Sequence, residues 1–142
     1  MSITRLRLLY ATGLLFAVPL ASADPLVSQG EYIYRAAGCH GCHTDAKHGG
    51  KPLAGGQALA TPFGTFYSPN ITPDAETGIG RWSEQEFLRA LREGLSPAGD
   101  HYYPSFPYPS YTKLSDEDLR ALWAYLKTQP AVKQANRKHE LK

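Results

Sequence analysis

The chain is short of sulfur. Its 142 residues hold two cysteines and one methionine. That methionine is residue 1, so no thioether side chain follows it. Two cysteines exclude a miniprotein built on disulfides. An excess of one charge is also missing, with 15 Lys+Arg against 13 Asp+Glu. Nothing resembles the basic stripe that a nucleic-acid partner requires. Long apolar runs are absent too: the longest, Leu8 to Leu20, covers 13 residues, whereas a membrane-spanning helix needs about 20. A polytopic membrane protein is therefore excluded. What the chain does have is 13 Gly and 11 Pro, a loop-rich supply for a length that suits one domain.

Residues 1–23 read as a secretory signal peptide. Arg5 and Arg7 precede the apolar run, and Ala21-Ser22-Ala23 supplies small residues for cleavage. On this reading the remaining domain is 24–142, exported to a bacterial periplasm, with no stable membrane span after cleavage. Its cationic and anionic residues balance, because the leader takes two Arg and no acid with it.

Three segments carry helical periodicity. From about Leu26 to Gly38, Val27, Gly30, Tyr34 and Ala37 recur at helical spacing, and Gly38 suits a helix end. Ser83-Glu84-Gln85-Glu86 is a capping box that opens a second helix, with Phe87, Leu88, Leu91 and Leu95 on one face. Ser115 opens a third, with Leu119, Leu122, Trp123 and Leu126 as its stripe and Pro130 beyond its end. Between them, 44–80 and 95–114 are rich in Gly or Pro and keep no period. Residues 63–67 look extended but have no visible partner. The polar tail 133–142 is expected to fray. The fold class on these signals is all-α: three main helices and long loops. So little helix buries little apolar surface, and such a chain wants a bulky apolar group at its centre.

Cys39-His40-Gly41-Cys42-His43 supplies one. C-x-x-C-H is the pattern of covalent haem c attachment. Two thiols add to the two vinyl groups, and the adjoining imidazole coordinates the iron as proximal ligand. A thioredoxin-like dithiol would need a βαβ context, and structural zinc would need four paired ligands. Neither is present.

With the motif in place, the chain resembles a class I cytochrome c. Gly30 to Tyr34 is similar to that family's N-terminal helix motif, and Leu122 to Lys127 to its C-terminal one. The resemblance implies that these helices cross, with Gly30 permitting close approach. A narrower resemblance covers almost all of 24–142. Thr61-Pro62-Phe63-Gly64-Thr65, Asn70-Ile71-Thr72-Pro73-Asp74, Thr77 to Trp82 and Tyr108 to Asp118 are similar to haem domains of the cytochrome c subunits of membrane-bound alcohol, aldehyde and gluconate dehydrogenases. Those subunits usually carry three such domains; this chain resembles one. The resemblance implies an electron carrier rather than an enzyme. Its partners would be a periplasmic or membrane-bound dehydrogenase and an oxidase or another cytochrome. It also implies that Asn70, Arg81 and Trp82 hydrogen-bond haem propionates. Pro52 is expected to place a carbonyl against the free ring nitrogen of His43.

One departure stands out. The family pattern Tyr-Pro-x-Met-Pro-Tyr carries the second axial ligand on its Met. Here the stretch is Tyr103-Pro104-Ser105-Phe106-Pro107-Tyr108. Phe106 has no lone pair, and no other Met is available. The sixth position is then open or water-bound, or taken by His101, or by a Lys or Tyr. Loss of Met lowers the reduction potential relative to His/Met relatives. Two function classes follow: an electron shuttle, and a haem protein whose open distal site binds CO, NO or peroxide.

Overall fold

The computed structural model describes residues 24–142, and the leader read over 1–23 lies outside them. Four helices, a small antiparallel sheet and long loops enclose one core. Helix α1, Pro25–Ala36, starts on Asp24, whose carboxylate accepts from the Leu26 amide at 2.9 Å. Pro25 at the first position suits a helix start, where no amide donor is needed. A single turn, α2, spans Cys39–His43 and is set off from α1 by Gly38 at φ 68°. Helix α3, Glu84–Glu93, carries the complete capping box: Ser83 Oγ accepts from the Glu86 amide, and Glu86 accepts from the Ser83 amide at 2.7 Å. Helix α4, Asp116–Lys127, opens on Ser115, which accepts from the Asp118 amide at 3.0 Å.

Helices α1 and α4 cross at Gly30. A Cβ there would lie 1.9 Å from the Ala121 carbonyl oxygen. Only a residue without a side chain allows this approach. The core forms around the crossing from Ile33, Phe87, Leu91, Leu119, Leu122 and Leu126, joined by Leu53 and Ile79 from the loops. Trp123 packs at its edge, with its ring 5.0 Å from Phe87.

Two expectations need correction. The fold is not all-α, because β1, Ala58–Thr61, and β2, Gly64–Tyr67, form an antiparallel hairpin pairing Ala58 with Tyr67. The missing partner of 63–67 was the segment just before it. The tail does not fray either. Its strand β3, Glu140–Leu141, adds to β2 opposite Thr65 and Gly64. Before that, Val132, Gln134 and Asn136 bond to the 70–77 loop. Polar amides, which look like fraying in a sequence, here satisfy buried loop donors and acceptors. Among the described residues no helix is long and apolar enough to cross a membrane.

Candidate functional site

Helix α2 places Cys39 and Cys42 one turn apart, so both thiols leave the same face. Neither is in a disulfide. Burial pushes the Cys39 thiol up to about 11, with Cys42 adding to the shift. Both sulfurs are free to form thioether bonds.

His43 ends the turn. Its Nδ1 lies 2.8 Å from the Pro69 carbonyl oxygen. A carbonyl only accepts, so Nδ1 carries the proton and Nε2 keeps its lone pair. Burial lowers the His43 pKa, against the opposing effect of the Pro69 hydrogen bond. The ring is therefore held neutral and oriented, as an imidazole must be to donate to a metal.

The carbonyl comes from Pro69 and not, as expected, from Pro52. Pro52 is exposed and occupies a tight turn closed by the Ala54 amide on the Lys51 carbonyl at 3.1 Å. Leu53, at φ 62° and 2% exposed, completes that turn and drives its side chain into the core. The turn brings Gly55 back to His43, whose carbonyl accepts the Gly55 amide at 2.9 Å. A Cβ on Gly55 would lie 2.5 Å from the Pro69 carbonyl carbon. Gly55 is thus what lets the 68–70 segment reach the imidazole, and sequence reasoning missed both it and Pro69. The Gly55-Gly56 pair was the one available signal.

Asn70 also differs from expectation. It is 2% exposed, and its amide donates to the Val132 carbonyl at 2.7 Å and to Thr77 Oγ1 at 3.1 Å. Its Oδ1 accepts from the amide and hydroxyl of Thr72. A side chain committed in this way organises the loop and has no donor left for a propionate. Arg81 is exposed and forms no ion pair among the described residues. Trp82 is half-buried and lines a cavity of about 430 Å³ with Ile71, Ile79 and Tyr102.

Phe106 is half-buried against the core. Its ring meets Tyr102 edge-on at 5.5 Å and Tyr111 at 5.9 Å. Tyr111 lines a second cavity, of about 420 Å³, with Ile33, Ala37, Pro107 and Leu114. Burial, together with the nearby Cys39 and Cys42 thiols, raises the Tyr111 pKa. An aromatic row thus links the thiol-bearing turn to the cavity under Trp82. His101 is not part of it. It is exposed, and its backbone pairs with Leu95 beyond the end of α3. Tyr102 is pinned beside it, its amide on the Gly94 carbonyl at 2.7 Å.

These residues fit a covalent haem: two free thiols one turn apart, an oriented neutral imidazole, and apolar aromatic walls. They do not fit a bare ion, since no group of three His, Cys, Asp or Glu side chains among the described residues could hold one.

Comparison with known proteins agrees. The family model for cytochrome c matches residues 27–130. A nicotinate dehydrogenase subunit of Pseudomonas putida is 53% identical over 109 residues, which is 77% of this chain and 9% of that protein. The gluconate 2-dehydrogenase cytochrome c subunit of Pantoea cypripedii is 50% identical over 119 residues, 83% of this chain and 26% of the relative. A diheme cytochrome c-type protein of Cereibacter sphaeroides is 42% identical over 141 residues, 92% of this chain and 48% of the relative. The chain therefore spans less than half the length of each of these relatives.

Proposed function

Since the chain belongs to the cytochrome c family, and so carries covalent haem c as an electron carrier rather than a catalyst, we propose that it moves single electrons in the periplasm. The donor is a dehydrogenase and the acceptor an oxidase or another cytochrome. Relatives named as dehydrogenase cytochrome subunits support the donor, and the leader-like 1–23 segment supports export. When bound, the haem supplies a one-electron iron couple.

Cys39 and Cys42 would hold the group by thioether bonds, and His43 would be its proximal ligand. The observation that carries this reading is the 2.8 Å contact from His43 Nδ1 to the Pro69 carbonyl, which leaves Nε2 free beside two unpaired thiols. Trp82 and Arg81 remain the candidates for propionate contacts. The sixth position has no Met to fill it. Phe106, packed against Tyr102 and Tyr111, would shield that side, and the pairing of the His101 backbone with Leu95 supports a position away from it.

A pyridine haemochrome assay on the exported protein tests the attachment. A thioether-type spectrum with one haem per chain is expected, and a colourless product would refute it. The absence of Met beside an aromatic distal wall also favours a second reading, a site that binds CO, NO or peroxide. Spectra of the reduced protein with and without CO separate the two. No change with CO favours the pure shuttle; a shifted Soret band favours ligand binding.

A further inference from the structure

We propose that Asn136, in the tail beyond the family match, tunes the electron-donating strength of His43 through the single peptide unit that joins Pro69 to Asn70. The inference rests on the haem assignment above and concerns a residue on the far side of that peptide.

The geometry is a chain of two hydrogen bonds across one amide. The Pro69 carbonyl accepts from His43 Nδ1 at 2.8 Å. The other end of the same peptide, the Asn70 amide, donates to Asn136 Oδ1 at 2.7 Å. Since the Asn70 amide is a donor, the side-chain oxygen of Asn136 must face it. An acceptor on the N–H side polarises the peptide and makes its carbonyl the better acceptor. A stronger carbonyl draws more on the imidazole proton and makes the ring a better donor to a metal. A better donor favours the oxidised iron and lowers the reduction potential. Asn136 is thus a positioning residue, acting through Pro69 and not by contact with the haem.

The rest of the tail supplies a control. Gln134 Nε2 donates to the Ala54 carbonyl at 2.9 Å. It anchors the same strap two residues earlier, reaches the Gly55 carbonyl at 3.4 Å, and forms no side-chain hydrogen bond with the Pro69–Asn70 peptide. Strap attachment and peptide polarisation can therefore be separated.

The experiment compares haem-loaded parent, Asn136→Ala, Asn136→Asp and Gln134→Ala proteins. The readouts are reduction potential and the NMR shifts of the Asn70 amide proton and the His43 Nδ1 proton. Asn136→Ala is expected to move both protons upfield. It should also favour reduction by a fixed couple two- to threefold, which is about 20–30 mV at 59 mV per tenfold change. Asn136→Asp keeps an acceptor oxygen, so both protons should stay downfield and the potential at or below that of the parent. Gln134→Ala should loosen the strap and leave the potential unchanged. Unmoved protons and potential in Asn136→Ala would overturn the inference. So would a shift in Gln134→Ala as large as in Asn136→Ala, because strap packing would then be the cause. Failure of the haem assignment is distinguishable, since it shows first in the parent as the absence of a thioether haemochrome.

Discussion

On the proposed reading, Phe106 sets the character of the site by what it cannot do. A phenyl ring offers iron no electron pair, and the chain has no methionine after residue 1. The Phe106→Met variant restores a thioether at the place where family members carry one. It is expected to raise the reduction potential, since Met ligation raises it, and to abolish any CO-induced spectral change. Potentiometry checks the first and a CO titration the second. A potential equal to or below that of the parent would mean that the loop does not present residue 106 to the metal. The attachment turn was legible at this scale because its chemistry is contiguous: Cys39, Cys42 and His43 lie within five residues. The partners of His43 were not. Pro69 is 26 positions away, and nothing in its neighbourhood marks a carbonyl as an acceptor. Gly55 makes that contact possible, so Gly55→Ala should pull Pro69 off the imidazole. It combines a φ of 76° with a Cβ that would sit 2.5 Å from backbone, and strain of that kind costs on the order of 1–3 kcal/mol. Thermal unfolding should show the loss, and an unchanged midpoint would refute the packing argument.

Helices announced themselves through periods and caps, each complete within a few residues. The Ser115→Ala change removes the acceptor for the Asp118 amide and should lower stability by about 1 kcal/mol, read by denaturant titration. The hairpin was illegible because Ala58-Leu59-Ala60-Thr61 has no apolar–polar alternation in its residue types, although exposure alternates along the strand, with Ala58 and Ala60 exposed and Leu59 and Thr61 half-buried. What makes it a strand is its pairing with β2, a tertiary fact. The loop from Asn70 to Gly78 illustrates a third kind of element, held by side chains that mimic backbone. Asp74 accepts from the hydroxyl and the amide of Thr77, both at 2.7 Å. The Thr77 hydroxyl and then its amide hold the Asp74 carboxyl below its ordinary value of 3.8. A carboxyl with a lowered folded pKa adds stability that is fully present above the unfolded value. That stability is lost as pH falls through the folded one. Asp74→Asn keeps an acceptor but does not titrate. Its stability should therefore fall less steeply than that of the parent below about pH 4, measured as the midpoint of thermal unfolding against pH. Parallel curves would show that this carboxylate contributes nothing to acid sensitivity.

For the whole molecule, the balanced charge of 24–142 hides a segregation. The stretch 133–142 carries Lys133, Arg137, Lys138 and Lys142 against Glu140 alone, while the acids are in excess over the rest. A basic strap therefore lies on an acidic body, which suggests that ion pairs hold it. The contacts argue otherwise. Lys133 meets Glu76 at 2.6 Å, but both side chains are more than half exposed, and such pairs contribute little and are screened by salt. Most of the less exposed contacts are neutral: Asn70 on the Val132 carbonyl, Thr72 Oγ1 receiving the Val132 amide at 3.1 Å, and Gln134 on Ala54; the charged ones fall on Tyr67, whose hydroxyl donates to Glu140 at 2.9 Å and whose ring lies under Arg137. The Tyr67 amide also donates to His139 Nδ1 at 3.1 Å, with the His139 ring against Phe66 and Tyr103. The strap therefore ties together the hairpin, the loop beneath Pro69 and the segment that carries Tyr103. Removing residues 131–142 should leave Asn70 and Thr72 without those partners. The cost is at least that of one buried polar group unmatched, about 1–3 kcal/mol, and protease should then cleave within 69–78. Because most of the grip on the 70–77 loop is neutral, raising the salt concentration should not reproduce the effect of truncation. Limited proteolysis of the full-length haem protein across a salt series distinguishes the two. Cleavage that rises with salt to the truncated level would show that charge holds the strap; a flat series beside a fragile truncation would show that amides do.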